Sequence, residues 1–213
     1  MTTEPVNKDD IVRRLRLEYQ YPQEDSARTL DALQSLFDSI MKGRASGHDL
    51  LRDAANLISK HLKLSEVGIG LRGHDKLYRF EVLVGEKPET ELANMNLVFR
   101  PEDFEESKTY KGSSISRLTR AYFAEDNPYA PREEATYNRP MLLKGRRAAL
   151  DQTIEGDYFI TKICGPNNDL LGWIEVSGST TQKLPDARTV KWMELVASIL
   201  GLLIISGVVS SKR

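Results

Sequence analysis

The sequence predicts an α+β domain in which helices cover one face of an antiparallel β-sheet and the N-terminal and C-terminal helices form a helical layer. Two pairs of apolar, β-branched runs, at residues 67–84 and 158–176, are each joined by a short turn, which is typical of β-hairpins. Amphipathic stretches precede the first pair, and a long apolar stretch follows the second. Hairpins bracketed by helices in this order indicate the α+β class.

The composition is that of an ordinary globular protein. Of the 213 residues, 40% are hydrophobic, which is too many for a disordered chain. The 30 basic and 31 acidic residues nearly balance, so we expect no nucleic-acid partner. The one cysteine, Cys164, excludes an intrachain disulfide and a cysteine-based zinc site. Residues 1–10 are polar and lack the apolar stretch of a signal peptide, so we expect a cytoplasmic location.

Three segments are predicted along the chain. Residues 1–25 form a polar segment with a short helix, residues 26–45 form an amphipathic helix, and residues 46–213 form the main domain, which begins with a helix capped by Ser46. The apolar positions of the second segment, at steps of three and four residues, are Leu30, Leu33, Phe37 and Ile40. This seam fits a helix packed on its own domain and equally fits a dimerising arm.

The two hairpins carry the clearest pattern. Both strands of the first are predicted to be central in the sheet, since each is rich in apolar and β-branched residues. In the second, alternation places Trp173 and Glu175 on one face of the returning strand and Ile174 and Val176 on the other.

The middle of the chain, residues 85–156, has the weakest pattern. A short helix start is predicted at residues 100–103, because a proline occupies its first position. Residues 112–118 are predicted to be a loop that enters a helical turn, and residues 121–124 a strand. Residues 141–152 predict a basic helix.

In the order of its segments, the chain resembles the GAF domain family of sensory modules over residues 46–209. Three stretches carry the resemblance: the helix from residue 50 that ends in SEVGIG at 65–70, the run GSSISRL at 112–118 followed by AYFAED, and the run LGWIEV at 171–176 ahead of a long helix. The resemblance implies a six-stranded antiparallel sheet, helices on one face, and a pocket under the loops on the other. PAS domains share this architecture and are the alternative, but the paired N-terminal helices and the long final helix favour the GAF family.

Several activities found within that family need residues that the sequence lacks. Members that bind cyclic nucleotides carry an Asn-Lys-x-Asp-Glu signature, which is absent here. Relatives that reduce methionine sulfoxide need several cysteines, and those that attach bilins keep a cysteine in the pocket region, where Cys164 does not fall. His48, His61 and His74 lack metal-site spacing, and no acidic pair is accompanied by a nucleophile. We therefore expect no metal, no cofactor and no catalysis.

Aromatic and arginine residues between positions 110 and 140 are the candidate ligand-binding residues. They are Tyr110, Arg117, Tyr122, Tyr129, Tyr137 and Arg139. Aromatic walls with a few polar groups are the general form of a small-molecule site, and arginine suits a carboxylate or phosphate. The alternative is a long loop that lies on the sheet and uses these side chains to satisfy its own backbone.

The last apolar stretch, residues 195–209, has no charged residue and predicts a helix that is buried around its whole circumference. Its fifteen residues are fewer than the roughly twenty that cross a bilayer, so we expect no membrane partner. A homodimer through the terminal helices would bury both faces of this helix, one on the sheet and the other on a two-fold partner. Burying roughly eight aliphatic side chains at ~1.5–3 kcal/mol each would exceed the usual cost of association.

These observations predict a stand-alone GAF-like sensory or regulatory domain that binds a small molecule or a separate signalling protein without catalysis. A separate partner is expected because the chain reaches Arg213 without an output domain. The alternative is a structural protein–protein interaction domain with a collapsed pocket. The two differ in whether residues 129–140 and the sheet enclose a cavity of about several hundred Å3.

Overall fold

The computed structural model describes residues 7–20, 27–43, 46–105 and 110–212. Within these ranges the helices are α1 (Lys8–Gln20), α2 (Ala27–Met41), α3 (Gly47–Leu62), α4 (Pro88–Met95) and α5 (Ala187–Ile205). The strands are β1 (Leu64–Arg72), β2 (Tyr78–Val84), β3 (Gly112–Ser114), β4 (Thr119–Tyr122), β5 (Tyr158–Cys164) and β6 (Leu170–Ser179). Short 3-10 turns lie at Pro101–Phe104, Pro131–Thr136 and Pro140–Leu142.

The six strands form one sheet in the order β2-β1-β6-β5-β4-β3, and every neighbouring pair is antiparallel. The first and second hairpins meet at the centre, where Ile69 of β1 lies opposite Ile174 of β6. The predicted α+β class, with helices against an antiparallel sheet, is therefore confirmed.

The helices cover the sheet face that carries Ile69, Ile174 and Val176, and together they form the main core. α3 packs against β1 and β2, and α5 packs against β5 and β6, while α2 lies on α3 and α1 lies on α5. The predicted cap of α3 is present, because Ser46 Oγ accepts a hydrogen bond from the Asp49 backbone N–H at 3.2 Å. This reciprocal capping box satisfies donors that the first helical turn cannot pair.

β2 is an edge strand, so the prediction that both strands of the first hairpin are central is wrong for β2. β2 is apolar because both of its faces are covered: α3 packs on one, and the other carries Tyr78 and Phe80 of an aromatic cluster. Phe99 also closes part of the open edge, since its backbone exchanges two hydrogen bonds of 2.9 Å with Tyr78.

In the middle of the chain, the predicted helix over 141–152 is absent, and only the turn Pro140–Leu142 precedes irregular backbone. Arg147 explains the difference, because its guanidinium is buried and bonds to Glu125 and Asp157 and to the carbonyl of Gln152.

The run at 112–118 also differs from prediction, because residues 112–114 form β3 and no helical turn follows. The Ser116 hydroxyl accepts hydrogen bonds from the backbone N–H groups of Leu118 and Thr119 and closes a turn instead. The predicted strand at 121–124 overlaps β4 only at residues 121–122, because β4 begins earlier, at Thr119, and ends at Tyr122. The predicted helix start at 100–103 is present as the turn Pro101–Phe104.

The final helix is shorter and less buried than predicted. α5 ends at Ile205, and Gly207 follows with a positive φ of 75°. Leu195, Leu202 and Ile205 form an exposed apolar row with 44%, 66% and 52% of their surface accessible. Among the described residues, the structure has no helix with the length and apolarity that a membrane span requires.

The predicted seam of residues 26–45 divides between two faces of α2. Leu33 and its neighbour Leu36 are buried in the main core, whereas 46% of the Phe37 surface is exposed. The side chain of Leu30, together with residues 1–6 and 21–26, lies outside the described residues.

Candidate functional site

A cavity of about 330 Å3 lies on the sheet face opposite the helices. The sheet supplies its floor, from side chains of β1, β2, β4, β5 and β6: Glu66, Phe80, Tyr122, Tyr158, Ile160, Trp173, Glu175 and Ser177. The connecting segments between residues 86 and 157 supply its walls: Glu86, Asn94, Phe99, Phe104, Tyr110, Glu133, Thr136, Tyr137 and Glu155 are among them. The cavity therefore lies under the loops, as the family resemblance implies.

Strand alternation in β5 and β6 builds the centre of this floor. Trp173 and Glu175 point into the cavity while Ile174 and Val176 point into the helical core, as the sequence predicts. Trp173 has room because residue 70 of β1, directly opposite, is a glycine. A Cβ at Gly70 would lie 2.0 Å from Cη2 of the indole, so any side chain there would displace the ring.

Aromatic rings surround Trp173 on one side of the cavity. The centroids of Phe104, Phe80 and Phe99 lie 4.9, 5.0 and 5.2 Å from the indole ring. At the other side, the rings of Tyr122 and Tyr158 stack in parallel with centroids 4.6 Å apart. Such contacts hold large side chains in fixed orientations, which gives the cavity rigid walls.

The polar part of the lining is acidic. Its carboxyl side chains are Glu66, Glu86, Asp103, Glu133, Glu155, Asp157 and Glu175. Of the described residues that line the cavity, none is a lysine, arginine or histidine. The cavity is therefore surrounded by potential negative charge.

Several of these carboxyl groups form ion pairs with arginines that are not part of the cavity lining. Arg139 Nε donates to Glu155 at 2.9 Å, and its Nη2 lies 3.8 Å from a carboxylate oxygen of Glu66. Arg147 Nη2 donates to Asp157 at 2.9 Å, where both side chains are almost fully buried. These pairs are structural, since a buried carboxylate needs a compensating cation.

Two others, Glu86 and Glu175, have no cationic partner among the described residues. Glu86 accepts hydrogen bonds of 3.0 Å from the Asn94 amide, and Glu175 lies beside the indole N–H of Trp173. Burial raises the pKa of each carboxyl group to about 7. The charge of Glu86 raises the pKa of Glu175 further, whereas the Trp173 indole N–H lowers it.

The tyrosine hydroxyls of the lining stay protonated at neutral pH. Burial, assisted by the charge of Glu133, raises the pKa of Tyr137 to about 12. Burial also raises the pKa of Tyr158 well above its usual value, with the Glu175 charge as the next cause. These groups therefore present neutral hydroxyls and ring faces to the cavity.

Three of the six residues predicted to bind a ligand, Tyr110, Tyr122 and Tyr137, line the cavity. Tyr129 lies behind them, with its ring 6.2 Å from that of Tyr137. Neither predicted arginine is part of the lining. Arg117 donates to Asn168 at 2.8 Å in the turn between β5 and β6, and Arg139 is held by Glu155.

The residues that the sequence reasoning missed are Glu86, Glu175 and the ring cluster around Trp173. The alternation of β6 contains a signal for two of them, since it places Trp173 and Glu175 on the face away from the helical core. A glutamate is unusual on a strand face that also carries a buried aromatic residue, unless the space above that face is polar or binds a ligand. Glu86 has no such signal, because it lies in a connecting loop.

The geometry gives little support to cysteine chemistry or to a metal site. Cys164 lies at the end of β5, outside the lining, and burial raises the pKa of its thiol, which keeps it protonated. Across the described part of the chain, no group of three or more His, Cys, Asp or Glu side chains is arranged to hold a metal ion.

Comparisons with known proteins agree on the fold. No family model matches the sequence, and no curated protein is significantly similar to it. The GAF domain of a phosphoenolpyruvate-protein phosphotransferase from Acinetobacter superposes with a TM-score of 0.51 and 14% identity, over 86% of this chain and 96% of that one. A GAF domain/HD domain protein from Geobacter sulfurreducens gives 0.53 and 9%, over 76% and 93%.

A third match is the bacteriophytochrome RpBphP3 from R. palustris, with a TM-score of 0.54 and 11% identity, over 88% of this chain and 39% of that chain. These likenesses show that the chain has a GAF-like fold, which confirms the fold implied by the sequence resemblance. At such low identity they establish the architecture, and the function has to be derived from the site.

Proposed function

We propose that this chain is a sensory or regulatory domain that binds a small molecule in the cavity over β6 and works without catalysing a reaction. The cavity carries the proposal: its volume of about 330 Å3 falls within the range of small-molecule sites, and its walls combine packed aromatic rings with a few polar groups. The same volume favours ligand binding over the alternative of a collapsed, purely structural domain. GAF-like folds in a bacteriophytochrome and in a phosphotransferase support the sensory part by analogy.

The non-catalytic part of the proposal rests on the groups that line the cavity. Ser177 donates its hydroxyl hydrogen to Glu66 at 2.7 Å, and Glu66 in turn lies near Arg139, so this serine has no free base beside it. The described lining contains no cysteine or histidine, and its serine, Ser177, is bonded to Glu66 and not to Glu86 or Glu175, the two carboxyl groups whose pKa burial raises to about 7.

Dimerisation through the terminal helices is a second part of the proposal. The exposed row Leu195, Leu202 and Ile205 on α5 is apolar, and Phe37 and Met41 of α2 add 46% and 85% exposed surfaces to the helical layer. An isologous contact would remove this surface from water and could carry a signal from the sheet to a separate protein. We also propose a cytoplasmic location, since a chain with one cysteine suits a reducing compartment.

Native mass spectrometry of the purified protein tests ligand binding. The wild type should retain a small molecule, or take one up from a metabolite extract, and the variant Ile160→Trp should not, because the larger side chain fills the cavity floor. Leu142→Trp is the matched control, since Leu142 is half exposed and lies outside the lining. Equal ligand retention by Ile160→Trp and the wild type would contradict the proposed site.

A further inference from the structure

We propose that the cavity takes an organic cation, a small molecule with an ammonium group, held between the carboxylates of Glu86 and Glu175 and the aromatic rings beside them. This inference rests on the proposed function, because it names the chemical class of the ligand for the same cavity.

The balance of charge around the cavity is the first observation. The described lining holds seven carboxyl side chains and no basic one. Of the arginines near it, Arg139 and Arg147 are paired with acidic residues, and Arg120 lies beside the Tyr122 hydroxyl. Within the described part of the chain, neither Glu86 nor Glu175 is paired with a cation.

A cationic ligand would satisfy both groups at once. Burial disfavours the charged form of each carboxyl, and the charge of Glu86 disfavours that of Glu175. A positive group between them reverses both effects, since opposite charges attract strongly in a partly dehydrated site. Because the pKa of each carboxyl is about 7, a cation can bind at neutral pH by displacing protons that are weakly held.

The aromatic rings are the second observation. An ammonium group over the face of a tyrosine or tryptophan is attracted by the ring quadrupole, which is the basis of quaternary ammonium recognition. The stacked rings of Tyr122 and Tyr158 line the cavity beside Ile160 and Glu175, since Tyr158 lies two residues before Ile160 on β5 and Ile160 pairs with Glu175. Carboxylates and ring faces therefore converge on the same space.

The third observation is the proximity of Trp173 to Glu175. The indole of Trp173 is completely buried, and its Nε1–H makes no hydrogen bond of ordinary geometry. It is nevertheless close enough to the Glu175 carboxyl to lower the pKa of that group. The indole N–H therefore favours the charged form of Glu175, which is the form that a cationic ligand would pair with.

An anionic ligand is disfavoured by the same geometry. It would approach Glu86 and Glu175, and no basic side chain among the described lining residues would offset their charge. Arg139 could reach it only by leaving Glu155, whose side chain is 5% exposed and would then be buried without a partner.

Isothermal titration calorimetry at pH 8 with choline as the probe tests the inference. The comparison ligands are 3,3-dimethyl-1-butanol, which replaces the charged nitrogen by carbon, and butyrate, which is an anion. We expect choline to bind the wild type at least about tenfold more tightly than either comparison ligand, because charge pairing and the cation–π contacts are lost in both. Ethanolamine and putrescine extend the test to primary ammonium groups.

The variants Glu175→Gln and Glu86→Gln should each weaken choline binding by about tenfold or more, because each removes one carboxylate charge while keeping the shape of the side chain. Glu89→Gln is the matched control: Glu89 is exposed on α4, outside the lining, and the change removes the same charge. Choline affinity of this variant should stay within about twofold of the wild type.

Two results would overturn the inference. One is tighter binding of the neutral or anionic ligand than of every cation in the set. The other is unchanged cation binding in both Glu175→Gln and Glu86→Gln. In either case the proposed function stands if native mass spectrometry still shows a small molecule that Ile160→Trp loses. If the wild type retains no small molecule and Ile160→Trp changes nothing, the proposed function itself fails.

Discussion

Replacing Glu175 by glutamine should stabilise the ligand-free protein at pH 8 and change its stability little at pH 5. Burial beside Trp173 and the charge of Glu86 raise the pKa of the Glu175 carboxyl from 4.5 to about 7. Glutamine has nearly the shape of the protonated side chain but never ionises. The variant therefore avoids the cost of burying the charge, which the wild type meets as the pH rises.

The direction of the effect follows from proton binding. Since the pKa of this acid is higher in the folded state than in the unfolded state, the folded state binds more protons between pH 4.5 and 7, and stability falls as the pH rises through this window. Each pH unit between the two values corresponds to about 1.36 kcal/mol. Between pH 5 and pH 8, the wild type should lose about 2–3 kcal/mol of unfolding free energy through this one group.

Urea denaturation followed by far-UV circular dichroism at pH 5, 6, 7 and 8 measures the effect as the difference between variant and wild type. Other titrating groups largely cancel in this difference; His48, whose pKa is lowered mainly by burial, is one of them. Glu86 and the tyrosines at 122, 137 and 158 interact with Glu175. The double variant Glu86→Gln/Glu175→Gln separates the contribution of Glu86 to the stability difference from the rest. The exposed substitution Glu89→Gln serves again as the control.

A pH-independent difference between Glu175→Gln and the wild type would refute the reasoning. It would mean that the carboxyl titrates alike in the folded and unfolded states, and hence that the cavity around it is open to bulk water. If the stability advantage of Glu175→Gln over the wild type grew as the pH fell, it would contradict the predicted direction of the effect.

Three further predictions concern other parts of the molecule. Arg147→Met should lower the unfolding free energy by about 3–5 kcal/mol in urea titrations, because it leaves the buried Asp157 without its partner; the exposed Arg146→Met is the control. Gly70→Ala should cost about 1–3 kcal/mol and change the near-UV dichroism of Trp173, and an unperturbed indole signal would contradict this. Leu202→Lys should convert the expected dimer to a monomer in light scattering; a wild type that is monomeric at micromolar concentration would exclude the dimer.

The sequence predicts those parts of the fold in which local pattern and burial agree. β5 and β6 alternate cleanly because one face meets the helical core, and Ser46 caps α3 with its own neighbour Asp49. The prediction failed for residues 141–152, whose helical pattern is overridden by the long-range bonds of Arg147. It also failed for β2. Apolar residues on both faces of a strand indicate that both faces are covered, but they do not indicate whether each edge of the strand pairs with another strand.

The candidate site illustrates why charge density along a sequence does not give the charge of a cavity. Arginines cluster in sequence with the tyrosines at 110–140, which suggests a basic pocket. Folding, however, brings a partner to each of the two predicted arginines: the acidic Glu155 to Arg139 and the polar Asn168 to Arg117. The carboxylates left over come from a loop, at Glu86, and from the sheet, at Glu175. Only the strand order of the sheet and the return of the loop over it place these two together. The acidic lining of the described part of the cavity is thus a product of the tertiary structure, and it differs from the basic pocket that the linear sequence suggests.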